Sequence, residues 1–400
     1  MTQHLVEFHF TCGPSRTEAE HPQSRIGHVN LTILKLNQVQ PVLQYLLAMV
    51  RMCLFSFCLF SCLISSAQWR GGDLSFLPSI EASGYVYKNA TGTPIDDLPQ
   101  WLSEQGMNLV RYRLWNDPER LYHSLPGVVR EAKRMQEAGM EILIDFHFSD
   151  SWADPYQQVS PLMWQDLSFS EAEESMVCWV SCVIKAFEQQ GVDVAMVQLG
   201  NEIDNGMMYP HGTLDEGFGN LVSLLQAGHE AVTLSSPGTL VAVHVSDINI
   251  APWYFSQLQA EGYMPDVLAI SNYSLWHETD LDELSYKMAS LSSTYNRPTF
   301  LAETAYAWTI DWYDWTHNLW WTGAESDGYN FTPLGQQNYL TTLDSLLTNL
   351  GSVQCLGWCY WAPDWVSAMG PEALNGSPWE NAALWDFDGV ALPAWSAFSD

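Results

Sequence analysis

Two glutamates at the ends of apolar runs are the residues of this chain best placed to do chemistry. The first closes Met196-Val197-Gln198-Leu199-Gly200-Asn201-Glu202, where a run of strand character breaks at Gly200 and an amide stands beside a carboxylate. The second lies in Phe300-Leu301-Ala302-Glu303-Thr304-Ala305-Tyr306. A carboxylic acid held dry enough to stay protonated near neutral pH, next to an amide that hydrogen-bonds a ligand, can serve as a general acid. Alone, Asn-Glu is a common dipeptide that often caps a helix; a second carboxylate reached in the same way outweighs that reading. Retaining cleavage of a glycosidic bond needs such a pair, with carboxyls roughly 5–5.5 Å apart, one as acid/base and one as nucleophile. Here Glu202 takes the acid/base role, its pKa raised by burial and by its partner, and Glu303 attacks the anomeric carbon. Arg111 would keep Glu303 ionised, and Tyr273 would donate a hydrogen bond to it.

Such residues need a frame that brings distant strand ends together. Short apolar runs predict strands over 72–76, 108–115, 141–148, 196–203, 240–246, 267–273, 299–304 and 356–361. Several are continuously apolar, as parallel strands buried on both faces should be. Helical spacing fills the intervals 98–105, 126–138, 170–189, 219–233, 253–260, 281–292 and 336–350, with Gly106, Gly139 and Gly191 at helix-ending positions. Eight alternations over residues 68–400 predict an α/β fold, a single (β/α)8 TIM barrel, whose active site sits at the C-terminal ends of the strands. Those ends are polar or aromatic throughout: Arg111 and Arg113, His147, Asn201-Glu202, His244, Asn272-Tyr273, Glu303, then Trp358 and Trp361.

The chain carries 15 Lys+Arg against 46 Asp+Glu, a net charge of −31. Such a surface repels phosphate backbones and argues against nucleic acid as a partner. Nineteen Trp and seventeen Tyr exceed what a core requires, and aromatic faces stack on the apolar faces of sugar rings. Residues 1–67 read as an extension ending in a leader. From Met49 or Met52 there is a short basic start, an apolar run at 53–64, and Ser65-Ser66-Ala67 as a small-residue cleavage site. Lipid attachment at Cys62 and a membrane-anchoring helix are the alternatives, and all three place the protein outside the cytoplasm or in the cell envelope. Four cysteines remain beyond the leader, Cys178, Cys182, Cys355 and Cys359, without neighbours in metal-ligand spacing, so buried thiols are expected. Asn89, Asn330 and Asn375 open glycosylation patterns, which matter only in a eukaryotic secretory host. His211, His229 and His277 have no partner that the sequence names and read as structural.

From about Gly71 onward the chain resembles the endo-β-1,4-galactanases of glycoside hydrolase family 53. The likeness rests on Val110-Arg111-Tyr112-Arg113-Leu114-Trp115-Asn116-Asp117-Pro118, on Asp145-Phe146-His147-Phe148-Ser149-Asp150-Ser151-Trp152-Ala153-Asp154-Pro155, on Gly200-Asn201-Glu202-Ile203, on Glu303 to Thr309 and on Ala383 to Gly389. The segment from Asp145 to Pro155 is the most specific of these. The resemblance implies a secreted enzyme that hydrolyses internal β-1,4-galactosidic bonds of pectic (arabino)galactan with retention. It assigns Glu202 and Glu303 as the catalytic pair. Arg111, His147, Asn201, Tyr273 and Trp361 would line the subsites, and Asp150, Trp152 and Asp154 would shape the groove. No cofactor and no partner protein is implied, and a monomer is expected.

The chain departs from the family at Asn272-Tyr273-Ser274, at Trp361-Ala362-Pro363 and at Met208-Tyr209, which bears on chain-length preference and leaves the catalytic pair intact. Bacterial relatives hold calcium after strand seven; Asp311, Asp314, His317 and Asn318 offer ligands there, at altered spacing. Two rival readings are a related barrel glycosidase acting on a β-mannan or β-glucan, and a non-catalytic polysaccharide-binding protein.

Overall fold

A computed structural model describes residues 68–277 and 280–399. The leader read at 1–67 lies outside the described residues. The barrel strands are β1 (Trp69–Asp73), β2 (Leu109–Leu114), β3 (Glu141–Phe146), β4 (Val194–Leu199), β5 (Leu240–Val245), β6 (Val267–Ser271), β7 (Thr299–Thr304) and β8 (Cys355–Trp361). Every neighbouring pair is parallel, and β8 returns to β1 to close the barrel. Around it stand α1 (Leu77–Ala82), α2 (Leu98–Glu104), α3 (Leu125–Glu137), α4 (Phe169–Gln189), α5 (Gly219–Ser235), α6 (Ala251–Ala260), α7 (Leu281–Tyr295) and α8 (Pro333–Leu350). The (β/α)8 expectation holds.

Helix starts follow local chemistry. Asp97, Ser168, Asp280 and Thr332 each accept a hydrogen bond from a first-turn N–H, and Ser168 with Glu171 forms a full capping box. The predicted helix-ending glycines Gly106, Gly139 and Gly191 take φ of +100°, +93° and +71°, a region that suits glycine.

The first strand runs over 69–73, three residues before the predicted span. Its centre is Gly71-Gly72, which carries no apolar signal, while Leu74–Phe76 belong to the turn into α1, a helix the sequence pattern did not announce. A Cβ at Gly72 would lie 2.6 Å from Met107 Cε, so the methionine tip would have to move to admit one.

Alternation along the strands sorts the interior into levels. Leu109, Leu143, Met196, Ala269, Phe300 and Cys359 fill the barrel toward the strand starts. Two residues further along, the same faces carry Arg111, Asp145, Gln198 and Ser271. Strand β7 reaches this level differently. Ile270 pairs with Leu301, yet Ser271 pairs with Glu303, so β7 carries one extra residue. Leu301 packs outward against the helices. Without the bulge, alternation would send Glu303 outward with it.

Of the four cysteines, Cys355 and Cys359 are buried thiols, as expected; Cys178 and Cys182 on α4 are only partly buried, which corrects that expectation.

Candidate active site

A cavity of about 830 Å³ opens at the C-terminal ends of the strands. Arg111, His147, Trp152, Asp154, Asn201, Glu202, Tyr273, Glu303 and Trp361, nine of the ten residues expected in the catalytic pair, the subsites and the groove, line it.

Arg111 is the hub. Its guanidinium meets Asp73 at 2.8 Å, Asp145 at 2.8 Å and Glu303 Oε1 at 2.8 Å, and it donates to Asn201 Oδ1 at 2.8 Å. The arginine is 1% exposed and Asp73 and Asp145 are 0% exposed, so water hardly screens its pairs with these two aspartates. Burial opposes the charge on Arg111, but the three carboxylates outweigh it and hold its pKa well above the usual arginine value. Asp145 in turn accepts from His147 Nε2 at 3.0 Å, and His147 Nδ1 accepts from Trp115 Nε1 at 3.0 Å and from Ala153 N at 3.2 Å. Burial raises the Asp145 carboxyl, but Arg111 and His147 pull it below the ordinary aspartate range.

The two glutamates have different neighbours. Glu303 accepts from Tyr273 Oη at 2.9 Å on Oε2 and faces Arg111 on Oε1. Among the described residues no cation lies within hydrogen-bond range of Glu202; Ser271 donates to its Oε1 at 2.7 Å. Burial raises both carboxyls. Arg111 and the Tyr273 hydroxyl counter this at Glu303, while the negative charge of Glu303 pushes Glu202 further up. Glu202 is therefore the one that keeps a proton, and Glu303 the one that ionises first.

Glu202 sits at φ +45°, in the left-handed region, just after Gly200 at +86°. A non-glycine residue there costs roughly 1–3 kcal/mol and persists only where its surroundings hold it. Gln158 supplies the hold: its Nε2 donates to Asn201 O at 2.7 Å and to Glu202 O at 3.3 Å. Asn201 is fixed between Arg111 and Ala153 O, to which its Nδ2 donates at 2.8 Å.

The aromatic wall is layered. Phe76 stacks on Trp365 with centroids 3.6 Å apart, and the Arg113 guanidinium lies 4.1 Å from Phe76 and 4.2 Å from Trp152. Trp361 meets Trp152 at 6.3 Å and Trp379 at 4.7 Å. These rings hold Trp152 and Trp361 as faces on the cavity wall.

Asp150 is the exception among the expected site residues. Its carboxylate oxygens accept from the backbone N–H groups of Asp117 at 2.9 Å and Leu162 at 2.8 Å, which ties two loops together away from the cavity. The expected calcium ligands do not converge either. Asp311 and His317 are exposed. The Asp314 carboxylate is occupied by Thr316 N, Ser377 N and the Ser367 hydroxyl, and Asn318 Nδ2 donates to Glu380. Among the described residues no group of three or more His, Cys, Asp or Glu could hold a metal ion. Asn318 Oδ1 and Glu380 Oε2 are buried there without a hydrogen-bond partner, and no step below runs through a cation.

Several contributors escaped the sequence reading. Asp73 lay in a strand drawn three residues late. Gln158 sits in a loop with no motif. Ser246, Asp247, Trp276 and His277 also line the cavity, and His277 Nδ1 accepts from Tyr273 N at 3.0 Å, a spacing of four that the sequence offered without a reason to use it.

A closed parallel barrel with two carboxyls of unequal proton affinity in one sugar-sized, aromatic-walled cavity at its C-terminal mouth is the design of a barrel glycoside hydrolase. The chain belongs to glycosyl hydrolase family 53, whose model matches residues 69–398. It is 33% identical to an arabinogalactan endo-β-1,4-galactanase of Cellvibrio japonicus, over 82% of this chain and 89% of that one. An endo-β-1,4-galactanase of Bacillus subtilis is 28% identical, over 82% and 85% of the two chains. The family 53 catalytic domain of Ignisphaera aggregans superposes with a TM-score of 0.76 at 34% identity, covering 82% of this chain and 94% of that one. The protein is a glycoside hydrolase.

Proposed function

We propose that this enzyme hydrolyses internal β-1,4-galactosidic bonds of (arabino)galactan with retention, Glu202 acting as acid/base and Glu303 as nucleophile. The observation that carries the reading is the asymmetry between the two carboxyls. Arg111 and Tyr273 both bond Glu303 directly, and neither forms a hydrogen bond or ion pair with Glu202, although both glutamates line one cavity.

In the first step the Glu303 oxygen forms a bond to the anomeric carbon as the bond to the glycosidic oxygen breaks. Glu202 gives that oxygen its proton, so the leaving sugar departs neutral. The galactosyl unit is then held as an ester of Glu303, and Glu202 is ionised. In the second step water attacks the anomeric carbon, Glu202 takes its proton, and Glu303 leaves as a carboxylate beside Arg111. Two inversions give net retention. Loss of Glu202 as proton donor falls most heavily on substrates with poor leaving groups.

The substrate class is supported by the names borne by the relatives above and by the Trp152 and Trp361 faces. Incubation with linear β-1,4-galactan, β-mannan and β-glucan tests it: release of galacto-oligosaccharides from the first alone is expected, and turnover of either other polymer at a comparable rate would sink it. A galactanase meets its polymer outside the cytoplasm, which fits the apolar run at 53–64 as a leader; N-terminal sequencing of the mature protein checks cleavage after Ala67.

A further inference from the structure

Behind Glu202 a line of side chains from three strands ends on one of its two oxygens. Gln198 on β4 donates to Asp145 Oδ1 at 2.7 Å, and its Nε2 lies 3.1 Å from His244 Nδ1 on β5. His244 Nε2 stands 2.9 Å from Ser271 Oγ at the end of β6, and that hydroxyl donates to Glu202 Oε1 at 2.7 Å. Gln198, His244 and Ser271 are each 0% exposed, and none of them lines the cavity. No substrate reaches them.

The direction of this line follows from counting protons. Serine has one, and with that proton on Glu202, Ser271 Oγ must accept from His244. The imidazole then carries its proton on Nε2, and bare Nδ1 accepts the second amide proton of Gln198. The opposite tautomer would aim Nδ1–H at Asn201 Oδ1, 3.1 Å away, as a third donor beside Arg111 at 2.8 Å and Gln198 at 3.2 Å on an oxygen with two lone pairs. It would also turn the serine proton away from the carboxylate. Burial, with the nearby Arg111, keeps the imidazole neutral by driving its pKa well below the ordinary histidine value. One ring proton is therefore all there is to place.

We infer that Ser271, set by His244, decides which oxygen of Glu202 carries the transferable proton: Oε1 is held as an acceptor, and the proton sits on Oε2, from which it passes to the glycosidic oxygen. This rests on the reading of Glu202 as acid/base. Ser271 and His244 are positioning residues. The charged and titratable groups facing Glu202 are Glu303 from β7, Asp204 beyond β4, Arg111 from β2 and Tyr273 beyond β6; those facing His244 are Arg111, and Asp145 and His147 at the end of β3.

The test uses the whole enzyme and two substrates: β-1,4-galactan, whose leaving group needs a proton, and a dinitrophenyl β-1,4-galactobioside, whose leaving group does not. Ser271→Ala should lower kcat/KM on galactan about 10–100-fold and change it less than about threefold on the aryl substrate. The basic limb of the pH profile should move to higher pH, because a donor to the carboxylate is gone. Ser271→Thr, which keeps the hydroxyl, should restore both. The imidazole ¹⁵N shifts of His244 should report a neutral ring protonated on Nε2 between about pH 5 and 8. Equal losses on the two substrates, an unmoved basic limb, or a ring protonated on Nδ1 overturns the inference. Glu202→Ala run alongside separates the two failures. If it discriminates between the substrates and Ser271→Ala does not, only the placement of the proton falls; if it does not discriminate, the acid/base reading falls first.

Discussion

The ends of β4 and β7 put the same side chain into the same cavity in opposite settings. Glu303 is 6% exposed and is met by a guanidinium and a phenol; Glu202 stands in a left-handed turn with a serine hydroxyl and, among the described residues, no cation in hydrogen-bond range. Burial pushes both carboxyls upward, so burial alone does not divide acid from nucleophile. The division comes from where one arginine sits. Arg111 is paired on three sides by carboxylates, and the one it shares with the cavity is Glu303.

The largest effect that would break this comparison is expected at Glu303 itself. Glu303→Ala should lower kcat about 10⁴–10⁶-fold on galactan, and azide should restore turnover with α-galactosyl azide as product. Glu202→Ala with an aryl substrate and azide should instead give the β anomer; the same anomer from both variants would show that the roles are not divided as drawn. Next comes Arg111→Met. It strips Glu303 of its counter-ion and leaves Asp73 and Asp145 buried without their partner, so a loss of about 10³-fold or more in kcat and about 3–5 kcal/mol in stability is expected. The nucleophile must be ionised to react, and losing the cation raises its pKa, so the acidic limb of the rate profile should move to higher pH. A profile that stays in place would remove Arg111 from the account. Tyr273→Phe deletes one donor to the same carboxyl and should cost about tenfold in kcat, with a smaller shift of that limb in the same direction. Activity equal to the parent enzyme would mean that the phenol is spare.

On the Glu202 side the comparison sharpens through stability. Asp204 is buried behind the turn, and burial pushes its carboxyl up to about 6. Its folded pKa lies above the unfolded value of about 3.9, so its contribution is complete below that value and is lost as pH rises through about 6. Asp204→Asn should therefore stabilise the protein by roughly 1–2 kcal/mol at pH 8 and by little at pH 4, read from urea unfolding at both. A gain independent of pH would place the effect elsewhere. The smallest effect is expected from a chelator: EDTA should leave kcat unchanged and move Tm by less than about 1 °C. A Tm lowered by several degrees and restored by calcium would reinstate a cation near Asp314.

Much of this was legible before any coordinates. Glu202 and Glu303 announce themselves because each follows an apolar run that can only be a buried strand, and Arg111 because a charged residue inside such a run must find partners. The register of β7 was not legible. Nothing in Phe300-Leu301-Ala302-Glu303 says that an extra residue turns the glutamate inward, since the bulge is a property of the pairing with β6 and not of either strand. Asp73 was hidden for a related reason, a strand whose centre is glycine giving periodicity nothing to count. Asp150 misled in the other direction. It lies in the most specific stretch of the chain, yet both of its oxygens hold backbone, and sequence does not tell a loop tie from a subsite. Gln158, His244 and Ser271 act through another residue, and such second neighbours have no spacing rule.

The amide of Gln158 has a practical consequence. It belongs to the same excursion from the barrel as Trp152, so whoever grafts a foreign segment there to change which oligosaccharides are released also removes the clamp on the turn that presents Glu202. Engineering of product size at that rim would have to carry the glutamine along, or rebuild its two carbonyl contacts from the new segment.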